Sequence, residues 1–551
     1  MIISKICAPL VSFIRYAYQK CLNVKLRAHG WLLAFRYGWA GEIKQPLDNP
    51  KKRVLALPTG HYEFIFIYSV LGKAMQAIGT HVSYLLHDPN HAFESYLKSL
   101  GHEHFIYFSD TKQSDQAESI AQKLLLGVDA IDVAMCIQYR GVDVGRHMLS
   151  TVVRSKNIAT LDFTDSETQR AIKLGLVNSI RATDFAYELL ERQAFDQVLV
   201  SEKGYTPYAE VYNVALIKHI EVIHLYVSHL EDSLLLRRFD LDDMYEHHFS
   251  LAPQTWEKVR IETWSESDGE ALKRYILSSY DEGLWWKRKK TQIGKRNLGR
   301  EELFAQYGLD YDKKTAVIFS HVLFDATFWY GTNLFKDYAE WLIESIRVAV
   351  RNDNVNWLVK MHPDNAWKIQ NYSHQSYDEY QLILKAFPEL PSHVKLILPE
   401  DEVSTVSLLS NIDYAITVRG TVGLEFPCFG IPAFTAGTGR YSGRGFTIDS
   451  SSKEEYRRKL MSIECTPQIN SETISVAQKF SNAVFRRRAL QITSFKWYAE
   501  PKSLSTSLFW PTIRFQINSK SVTEFMNSKD IRAFVSWLDR PEEVDFLETR
   551  S

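Results

Sequence analysis

Short apolar runs alternate with longer helical stretches along most of this 551-residue chain. In its first half, the runs that predict strands are RVLALPTG, THVSYLLHD, HFIYF, AIDVAMCIQYRG, FDQVLVSEKG and EVIHLYVS. Strands rich in Val, Ile and Leu, separated by helices, are typical of a parallel sheet covered by helices on both faces. The sequence therefore predicts an α/β fold, with one Rossmann-like domain over residues 51–240.

A second series of the same kind follows residue 300. Its predicted strands are KKTAVIFSH, VNWLVKMHP, HVKLILPE, IDYAITV and IPAFTAG. Five strands with intervening helices predict a second doubly wound parallel sheet over residues 301–470. Residues 241–300 break the rhythm with charge and tryptophan, which indicates a linker or helical insert. Residues 471–551 are predicted to form a long helix and a mixed tail.

Charge and cysteine content exclude several classes of protein. The formal net charge is -1, so the composition provides no field for binding nucleic acid. The five cysteines lie far apart and include no C-x-x-C pair, which argues against a disulfide framework and against a zinc site. The same cysteine pattern favours the reducing cytoplasm, and 45% hydrophobic with 24% charged residues is an ordinary globular composition.

Two basic segments raise the question of membrane contact. Residues 1–50 mix apolar and basic residues, but no apolar run reaches the roughly 18 residues of a spanning helix. The basic residues are also spread out, unlike those of a signal peptide. A surface helix on anionic lipid and a helix packed on the domain both stay open. The run FRRR at 485–488 likewise predicts either membrane contact or a solvated helix face.

The glycine-rich stretch at 417–449 has the features of a nucleotide site. Where IDYAITV ends, Arg419, Gly420, Thr421 and Gly423 lead into a helix whose free amides would attract an anion. The glycines allow a phosphate close to the backbone, while the threonine hydroxyl and the arginine add donors. Glu425 would repel phosphate but accepts hydrogen bonds from a ribose diol. The stretch therefore predicts binding of a nucleotide that carries phosphate and ribose.

Further candidate donor-binding residues follow other strands of the same domain. They are Gly437, Arg440 and Ser442 in AGTGRYSGRG, Ser320, His321 and Asp325 after VIF, and Lys360, His362 and Pro363 at the end of VNWLVKMHP. Because the carboxyl ends of parallel strands share one edge, we expect these residues to line the same cleft. A histidine there can donate to a phosphate oxygen and stabilise charge on a leaving group.

The first domain supplies candidates for a catalytic base. His61 and Glu63 follow the first predicted strand, Asp143 lies between two glycines in GVDVG, and Glu202 follows VLV. An inverting sugar transfer needs a base that accepts the proton of the acceptor hydroxyl. Asp143 ranks slightly above the two glutamates because its flanking glycines leave room for a ligand. Each carboxylate also fits a helix cap or loop position.

The run from about 315 to 449 resembles the bacterial capsule polysaccharide biosynthesis family, whose members are glycosyltransferases of the GT-B type. The segments that carry the resemblance are VLFDATFWYGTNLF, VNWLVKMHP and VRGTVGLEFPCFGIPAFTAGTGRYSGRGFTID. The positions that match the family pattern are His362, Pro363, Thr421, Gly423, Glu425 and residues 430–432. More distant relatives include the capsule Kdo transferases and the CDP-glycerol glycerophosphotransferases of teichoic acid.

This resemblance implies a GT-B-like fold, with two Rossmann-like domains facing a cleft and helical additions at both ends. It further implies a nucleotide-sugar donor in the second domain and an oligosaccharide or lipid-linked acceptor in the first. We expect transfer to a capsular or other surface polysaccharide, in the cytoplasm or peripherally on the inner membrane, with the export machinery as a candidate contact. His362, Arg419 and the amides near Thr421 would stabilise the leaving group.

No metal or other cofactor is expected. The acidic runs DLDD at 240–243 and DYD at 310–312 are predicted to be exposed connections rather than metal ligands. Three alternatives stay open. A sugar-nucleotide 2-epimerase would act without an acceptor, and a CDP-polyol phosphotransferase would transfer a phosphate-linked polyol. A non-enzymatic scaffold of an export complex would bind no nucleotide.

Overall fold

The computed structural model describes residues 34, 36–46, 48–59, 62–87, 92–108, 115–285, 294–364, 378–500 and 512–549. Within these ranges the chain forms two large sheets and one two-stranded sheet, with helices between the strands. The predicted α/β fold class is therefore confirmed. His61 and most of the basic N-terminal segment, residues 1–33, lie outside the described residues.

The first sheet has seven strands in the order β12-β6-β5-β4-β1-β2-β3. Numbered along the chain, they are β1 (Lys52–Leu57), β2 (Thr80–Leu86), β3 (Phe105–Tyr107), β4 (Gln197–Val200), β5 (Glu221–Val227), β6 (Ser233–Phe239) and β12 (Leu490–Gln491). Strands β1 to β5 run parallel. At one edge, β6 pairs antiparallel with β5, and β12 pairs antiparallel with β6. Central strands buried on both faces explain the continuous apolar runs in the sequence.

Helices cover both faces of this sheet. They are α1 (Tyr62–Ala77), α2 (Ala92–Ser99), α3 (Asp115–Leu124), α4 (Ile131–Met135), α5 (Val144–Lys156), α6 (Ser166–Arg192) and α7 (Tyr208–Ile217). The predicted strand in AIDVAMCIQYRG is wrong, because this run forms α4 and a loop. Ile131 and Ala134 are buried while Asp132 and Val133 are exposed, which is the spacing of one helix face.

The second sheet has five parallel strands in the order β11-β10-β7-β8-β9. They are β7 (Lys314–Phe319), β8 (Val355–Lys360), β9 (Val394–Ile397), β10 (Tyr414–Thr417) and β11 (Ala433–Thr435). Among the described residues from 253 to 482, the α-helices are α8 (Pro253–Arg260), α9 (Glu266–Asp281), α10 (Arg300–Tyr307), α11 (Tyr338–Arg351), α12 (Asp378–Ala386), α13 (Thr405–Asn411), α14 (Val422–Glu425), α15 (Lys453–Met461) and α16 (Ser471–Asn482).

Both sheets share one topology. In each, the first strand lies at the centre, the next two pair outward on one side, and the fourth and fifth lie on the other side. The strand order therefore reverses between β1 and β4 in the first sheet and between β7 and β10 in the second. Open α/β sheets bind ligands at such reversal points, outside the carboxyl ends of the strands. The topology thus indicates one candidate crevice in each domain.

The segment between the sheets packs with the second domain. Leu251 and Trp256, at the start of the segment, share a hydrophobic cluster with Leu272 and Ile276 of α9 and with Val317 of β7. Helix α9 begins with a capping box, in which Ser265 and Asp268 satisfy each other's backbone amides. The charge-rich segment is therefore helical in part and supports the wall of the second crevice.

The C-terminal part of the chain returns to the first domain. After α16, strand β12 joins the edge of the first sheet, and the hairpin β13 (Phe495–Glu500) and β14 (Thr512–Ile517) follows. Helices α17 (Val522–Asn527) and α18 (Lys529–Leu538) follow, and residues 544–546 then return to β6, where Asp545 pairs with Arg237. Phe515, Phe534 and Trp537 of these elements share a core cluster with Phe66 of α1. The tail is therefore part of the first domain's core.

Two predictions about surface charge are wrong for one residue each. Asp240 and Asp242 of DLDD and Arg486 of FRRR are exposed. Arg488 is only 1% exposed, and its guanidinium lies 3.0 Å from a carboxylate oxygen of Asp545. Asp243 is buried as well, and it pairs with Arg237 of β6 at 2.5 Å. Local composition cannot reveal either partner. The run 310–312 is exposed, as predicted.

Residues 322–330, which follow β7, connect the two domains. The aromatic side chains of Phe324, Phe328, Trp329 and Tyr330 are buried in the same cluster as core residues of the first domain. Trp329 stacks on His147 of α5 with ring centroids 4.9 Å apart.

No helix among the described residues is both long and apolar enough to cross a membrane.

Candidate functional site

The reversal point of the second sheet brings predicted residues together. Strands β7 and β10 pair through Ile318 and Ile416, so the residues that follow each strand are neighbours. The amide of Val418 donates to Nε2 of His321 at 3.2 Å, and Oγ1 of Thr417 lies 3.1 Å from the same nitrogen. Because Nε2 accepts from the amide, this arrangement assigns the proton of a neutral imidazole to Nδ1.

Several basic side chains surround this histidine. Burial lowers the pKa of His321 well below its usual value, and the nearby His362, Arg419 and Arg440 lower it further. These four residues follow four different strands, as the sequence predicts for residues lining one crevice. The charges of Arg419 and Arg440 thus act on a neutral imidazole at the reversal point. Such a cluster can bind an anion and stabilise negative charge on a leaving group.

Arg419 also has a structural role. Its side chain is 4% exposed and donates to the carbonyl of Tyr330, to the Asn333 side chain and, at 3.5 Å, to the carbonyl of Thr332. Arg440 donates to the carbonyl of Arg419 at 3.3 Å. The guanidinium of Arg419 thus holds the segment that connects the domains at the edge of the cationic cluster. Its predicted contact with a phosphate stays a prediction.

Glu425 is fully buried next to this cluster. The hydroxyl of Tyr280 in α9 donates to its Oε2 at 2.5 Å. Burial raises the pKa of Glu425, while the hydroxyls of Tyr280 and Thr421 and the charge of Arg440 oppose that rise. Sequence reasoning missed Tyr280, because it lies 145 residues away in the segment predicted to be a linker or insert. No local pattern pairs the two residues.

The glycines of the stretch permit close packing between its two turns. A Cβ at Gly423 would lie 2.0 Å from the hydroxyl of Tyr441, which donates to the carbonyl of Gly420 at 2.8 Å. A Cβ at Gly437 would lie 2.7 Å from Val418. Ser442 donates back to the carbonyl of Gly437 at 3.0 Å. These contacts explain the glycines by the approach of protein atoms, independently of any ligand.

The helix that the sequence predicts after Thr421 is short. Helix α14 has four residues and continues as a 3₁₀ turn over Phe426–Phe429. The amides of Gly423, Leu424 and Glu425 already donate to backbone carbonyls of Gly420 and Thr421. A short helix has a weak macrodipole, so the basic side chains provide more of the positive charge than the helix does.

Two other predicted donor-binding residues contact protein groups at the same edge. Ser320 donates to the carboxylate of Glu379, which also accepts from the amide of His362 at 3.3 Å. Pro363 follows directly, and the amide of Asp364 donates to Nδ1 of His362 at 3.2 Å. The strand ends of β7 and β8 are therefore linked through Glu379, which sequence reasoning did not identify.

Lys360 and Asp325 lie in different surroundings. Burial lowers the pKa of Lys360 to about 8, and the charge of Lys295 contributes to this shift. Asp325 points away from the cationic cluster, since it pairs with Arg154 of α5 at 2.6 Å and accepts from Tyr205 at 3.3 Å. The structure thus brings Asp325 to the first domain rather than to the predicted donor site.

The reversal point of the first sheet carries Glu202. Its carboxylate accepts from the amides of Lys203 and Gly204 at 2.8 and 3.0 Å. Burial raises the pKa of Glu202, and the charge of Asp325 adds to the rise, while Arg154 opposes it. Burial raises the pKa of Tyr226, and the charges of Glu202, Asp325 and Glu63, at the start of α1, raise it further. Carboxylates from both domains therefore converge beside this crevice.

Asp143 lies further along the same domain. It precedes α5 without a capping hydrogen bond from its side chain, and Gln138 donates to its Oδ1 at 2.8 Å. Arg146, one turn later, donates to the carbonyls of Trp329 and Gly331 at 3.4 and 3.3 Å. Burial lowers the pKa of Arg146, and the charge of nearby Arg419 lowers it further. Asp143 thus approaches the domain contact through Arg146, which belongs to the same GVDVGRH run.

The described residues contain no group of three or more His, Cys, Asp or Glu side chains arranged to hold a metal ion. Cys136, Cys428 and Cys465 are free thiols. Burial raises the pKa of Cys428 to about 12, so this thiol stays protonated.

No protein-family model and no curated protein sequence matches the chain. Solved structures similar to it include the β-Kdo 2,4 transferase KpsC of Thermosulfurimonas dismutans, with 15% identity, a TM-score of 0.31, and coverage of 52% of this chain and 79% of that one. The S. aureus MnaA–UDP co-structure shares 11% identity, with a TM-score of 0.24 and coverage of 79% and 92%.

The rhamnosyltransferase SpnG shares 10% identity, with a TM-score of 0.24 and coverage of 78% of this chain and 95% of that one. The Kdo transferases named from the sequence are thus among the similar structures. Identities and TM-scores this low carry no functional argument, so the function is argued from the site itself.

Proposed function

We propose that this protein is a glycosyltransferase that transfers a sugar from a nucleotide-activated donor to a growing capsular or other surface polysaccharide, or to its lipid-linked acceptor. The observation that carries this proposal is the convergence of His321, His362, Arg419 and Arg440 at the reversal point of the second sheet. Positive charge at this position suits the phosphates of a nucleotide. Glu425 adds a carboxylate suited to a ribose diol.

The chemistry of the leaving group follows from this charge. When the bond between the sugar and the phosphate breaks, negative charge develops on the nucleotide phosphate. His362, Arg419 and Arg440 would stabilise that charge without rearrangement, because their positions are fixed by protein hydrogen bonds. We propose that these basic groups replace a divalent ion, which makes the reaction metal-independent.

Glu202 is the best-supported base of the first domain. Its raised pKa makes the carboxylate a stronger proton acceptor than an exposed glutamate, and it lies at the reversal point where an acceptor would bind. The carboxylate would accept the proton of the acceptor hydroxyl as that oxygen attacks the sugar. Asp143 and Glu63 stay alternative bases. We propose that the reaction occurs in the cytoplasm or at the inner face of the membrane, where a lipid-linked acceptor would be available.

Nucleotide binding tests the proposal first. Calorimetry of the full chain with CMP, CDP, UDP, GDP and CMP-Kdo should identify one nucleotide that binds. Glu425→Gln should weaken that nucleotide by at least tenfold, about 1.4 kcal/mol. Glu454→Gln, at a side chain that is 78% exposed on α15, is the matched control and should bind like the wild type. If no nucleotide binds at millimolar concentration, the proposal is wrong and the scaffold alternative gains support.

Products then separate the enzyme classes. A glycosyltransferase with donor and acceptor should release nucleotide and extend the acceptor, and Glu202→Gln should lower the rate while the affinity for nucleotide is unchanged. Epimerisation of the nucleotide sugar without an acceptor would indicate the 2-epimerase instead. Release of CMP with transfer of a polyol phosphate would indicate the CDP-polyol phosphotransferase. Mass spectrometry of the products distinguishes all three outcomes.

A further inference from the structure

A cavity of about 350 Å³ lies in the first domain. Its lining includes residues that follow three strands, with His87 after β2, Phe108 after β3 and Thr206 in the loop after β4. Thr151 of α5 and Asn178 and Arg181 of α6 also line it. Small-molecule pockets have volumes of about 300 to 1,000 Å³, so this cavity is large enough for a sugar unit.

Arg181 gives the cavity a positively charged side chain. The side chain is 28% exposed and lines the cavity, so its terminal guanidinium nitrogens are accessible to a ligand. Its ion-pair partner Glu118 is 66% exposed and lies 3.9 Å away, which is too far for a strong charge-assisted bond. The guanidinium therefore remains able to bind an anionic group in the cavity.

Other donors surround the same space. Asn178 is exposed and precedes Arg181 by three residues, so both lie on one face of α6. Oγ1 of Thr151 accepts from the amide of Thr206 at 3.0 Å, which leaves the hydroxyl proton available to donate. Phe108 adds an aromatic surface against which the apolar face of a sugar ring can pack. Charge, amide, hydroxyl and aromatic ring together suit an acidic sugar.

The cavity adjoins the candidate base. Thr206 lies four residues after Glu202, and Phe108 packs edge-on against Tyr208, with ring centroids 5.9 Å apart. The charge of Glu202 contributes to the raised pKa of that tyrosine. A sugar in the cavity would therefore bind close to the group that would accept the acceptor's proton.

We propose that this cavity is an acceptor subsite that binds a sugar carrying an anionic group, either a carboxylate or a phosphate, through Arg181 and Asn178. The identification of the ligand as the acceptor rests on the proposed function. The new element is the chemical class of that acceptor, an anionic sugar. The residues that line the cavity all belong to the first domain, and none of them is part of the cationic cluster of the second.

Saturation-transfer NMR titrations of the full chain test the subsite with three probes. These are glucuronate, glucose 6-phosphate and glucose. Both anionic probes should bind at least tenfold more tightly than glucose. The tighter of the two anionic probes identifies carboxylate or phosphate as the preferred group. Arg181→Gln should weaken that probe by at least tenfold. Arg170→Gln, at an exposed arginine of the same helix, is the matched control and should have no effect.

Asn178→Asp provides a second variant that should not disturb folding, because the side chain is exposed. The added negative charge should weaken the anionic probes several-fold and leave glucose unchanged. The inference is overturned if glucose binds as tightly as the anionic probes, or if the affinity of folded Arg181→Gln and Asn178→Asp matches the wild type. Nucleotide binding is measured on the same samples as a separate readout. If no nucleotide binds, the proposed function is contradicted. If nucleotide binds but none of the sugar probes does, only the subsite is contradicted.

Discussion

Glu210 provides a test of buried electrostatics in the first domain. Its side chain is fully buried on α7 and accepts hydrogen bonds from Ser179 at 2.5 Å and Thr206 at 2.7 Å. Burial raises its pKa from 4.5 to about 7, although both hydroxyls oppose that rise. At neutral pH the carboxyl group of Glu210 is therefore near the midpoint of its titration in the folded state. It lies next to the cavity, because its donor Thr206 is one of the lining residues.

The sign of the pH effect follows from linkage. Between the unfolded value of 4.5 and the folded value of about 7, the folded state binds more protons than the unfolded state. The contribution of Glu210 to stability is thus fully present below pH 4.5 and declines as pH rises through the folded pKa. At about 1.4 kcal/mol per pKa unit, the total decline is on the order of 3 kcal/mol. Gln cannot titrate, so Glu210→Gln should lack this decline.

The measurement is the difference in unfolding free energy between variant and wild type at pH 5, 6, 7 and 8. Hydrogen exchange of α6 and α7 peptides in increasing urea reports this domain, even if the two domains unfold separately. The difference should shift in favour of Glu210→Gln by roughly 2.5 kcal/mol from pH 5 to pH 8, because part of the decline lies below pH 5. Glu188→Gln, at a side chain that is 71% exposed on α6, should shift little. A difference independent of pH would refute the reasoning.

Two further substitutions test the packing around the crevices. Gly423→Ala places a Cβ 2.0 Å from the Tyr441 hydroxyl, so calorimetry should show nucleotide affinity reduced at least tenfold; Gly299→Ala, with nothing within 4 Å, should bind normally. Asp545→Asn leaves the buried Arg488 without its carboxylate, so chemical denaturation should show a loss of about 3 to 5 kcal/mol. Unchanged affinity in the first variant, or unchanged stability in the second, would contradict these contacts.

Much of the fold is predictable from the period of the apolar runs. Strands buried on both faces leave continuous Val, Ile and Leu segments, and all five runs after residue 300 form strands. The exception is 131–135, where a short apolar run suits either a strand or one face of a helix. The pairing of β12 with β6 lies beyond such reasoning, because it joins residues more than 250 positions apart.

The candidate site was predictable only where its residues follow strands. His321, His362 and Arg419 converge because the ends of parallel strands share an edge, which topology alone dictates. Tyr280 and Glu379 escaped prediction, since each meets the site through tertiary packing. The glycines show the limit of motif reasoning. Gly423 was predicted to admit a phosphate, yet its missing Cβ makes room for Tyr441.

Hydrogen bonds from both domains meet on the segment that connects them. Arg419 of the second domain donates to the carbonyl of Tyr330, while Arg146 of the first donates to the carbonyls of Trp329 and Gly331 on either side. Both arginines therefore hold one short segment that is anchored in the first domain's core. If a phosphate binds Arg419 as proposed, its affinity and the packing of 322–330 are thermodynamically linked, because both depend on the same guanidinium.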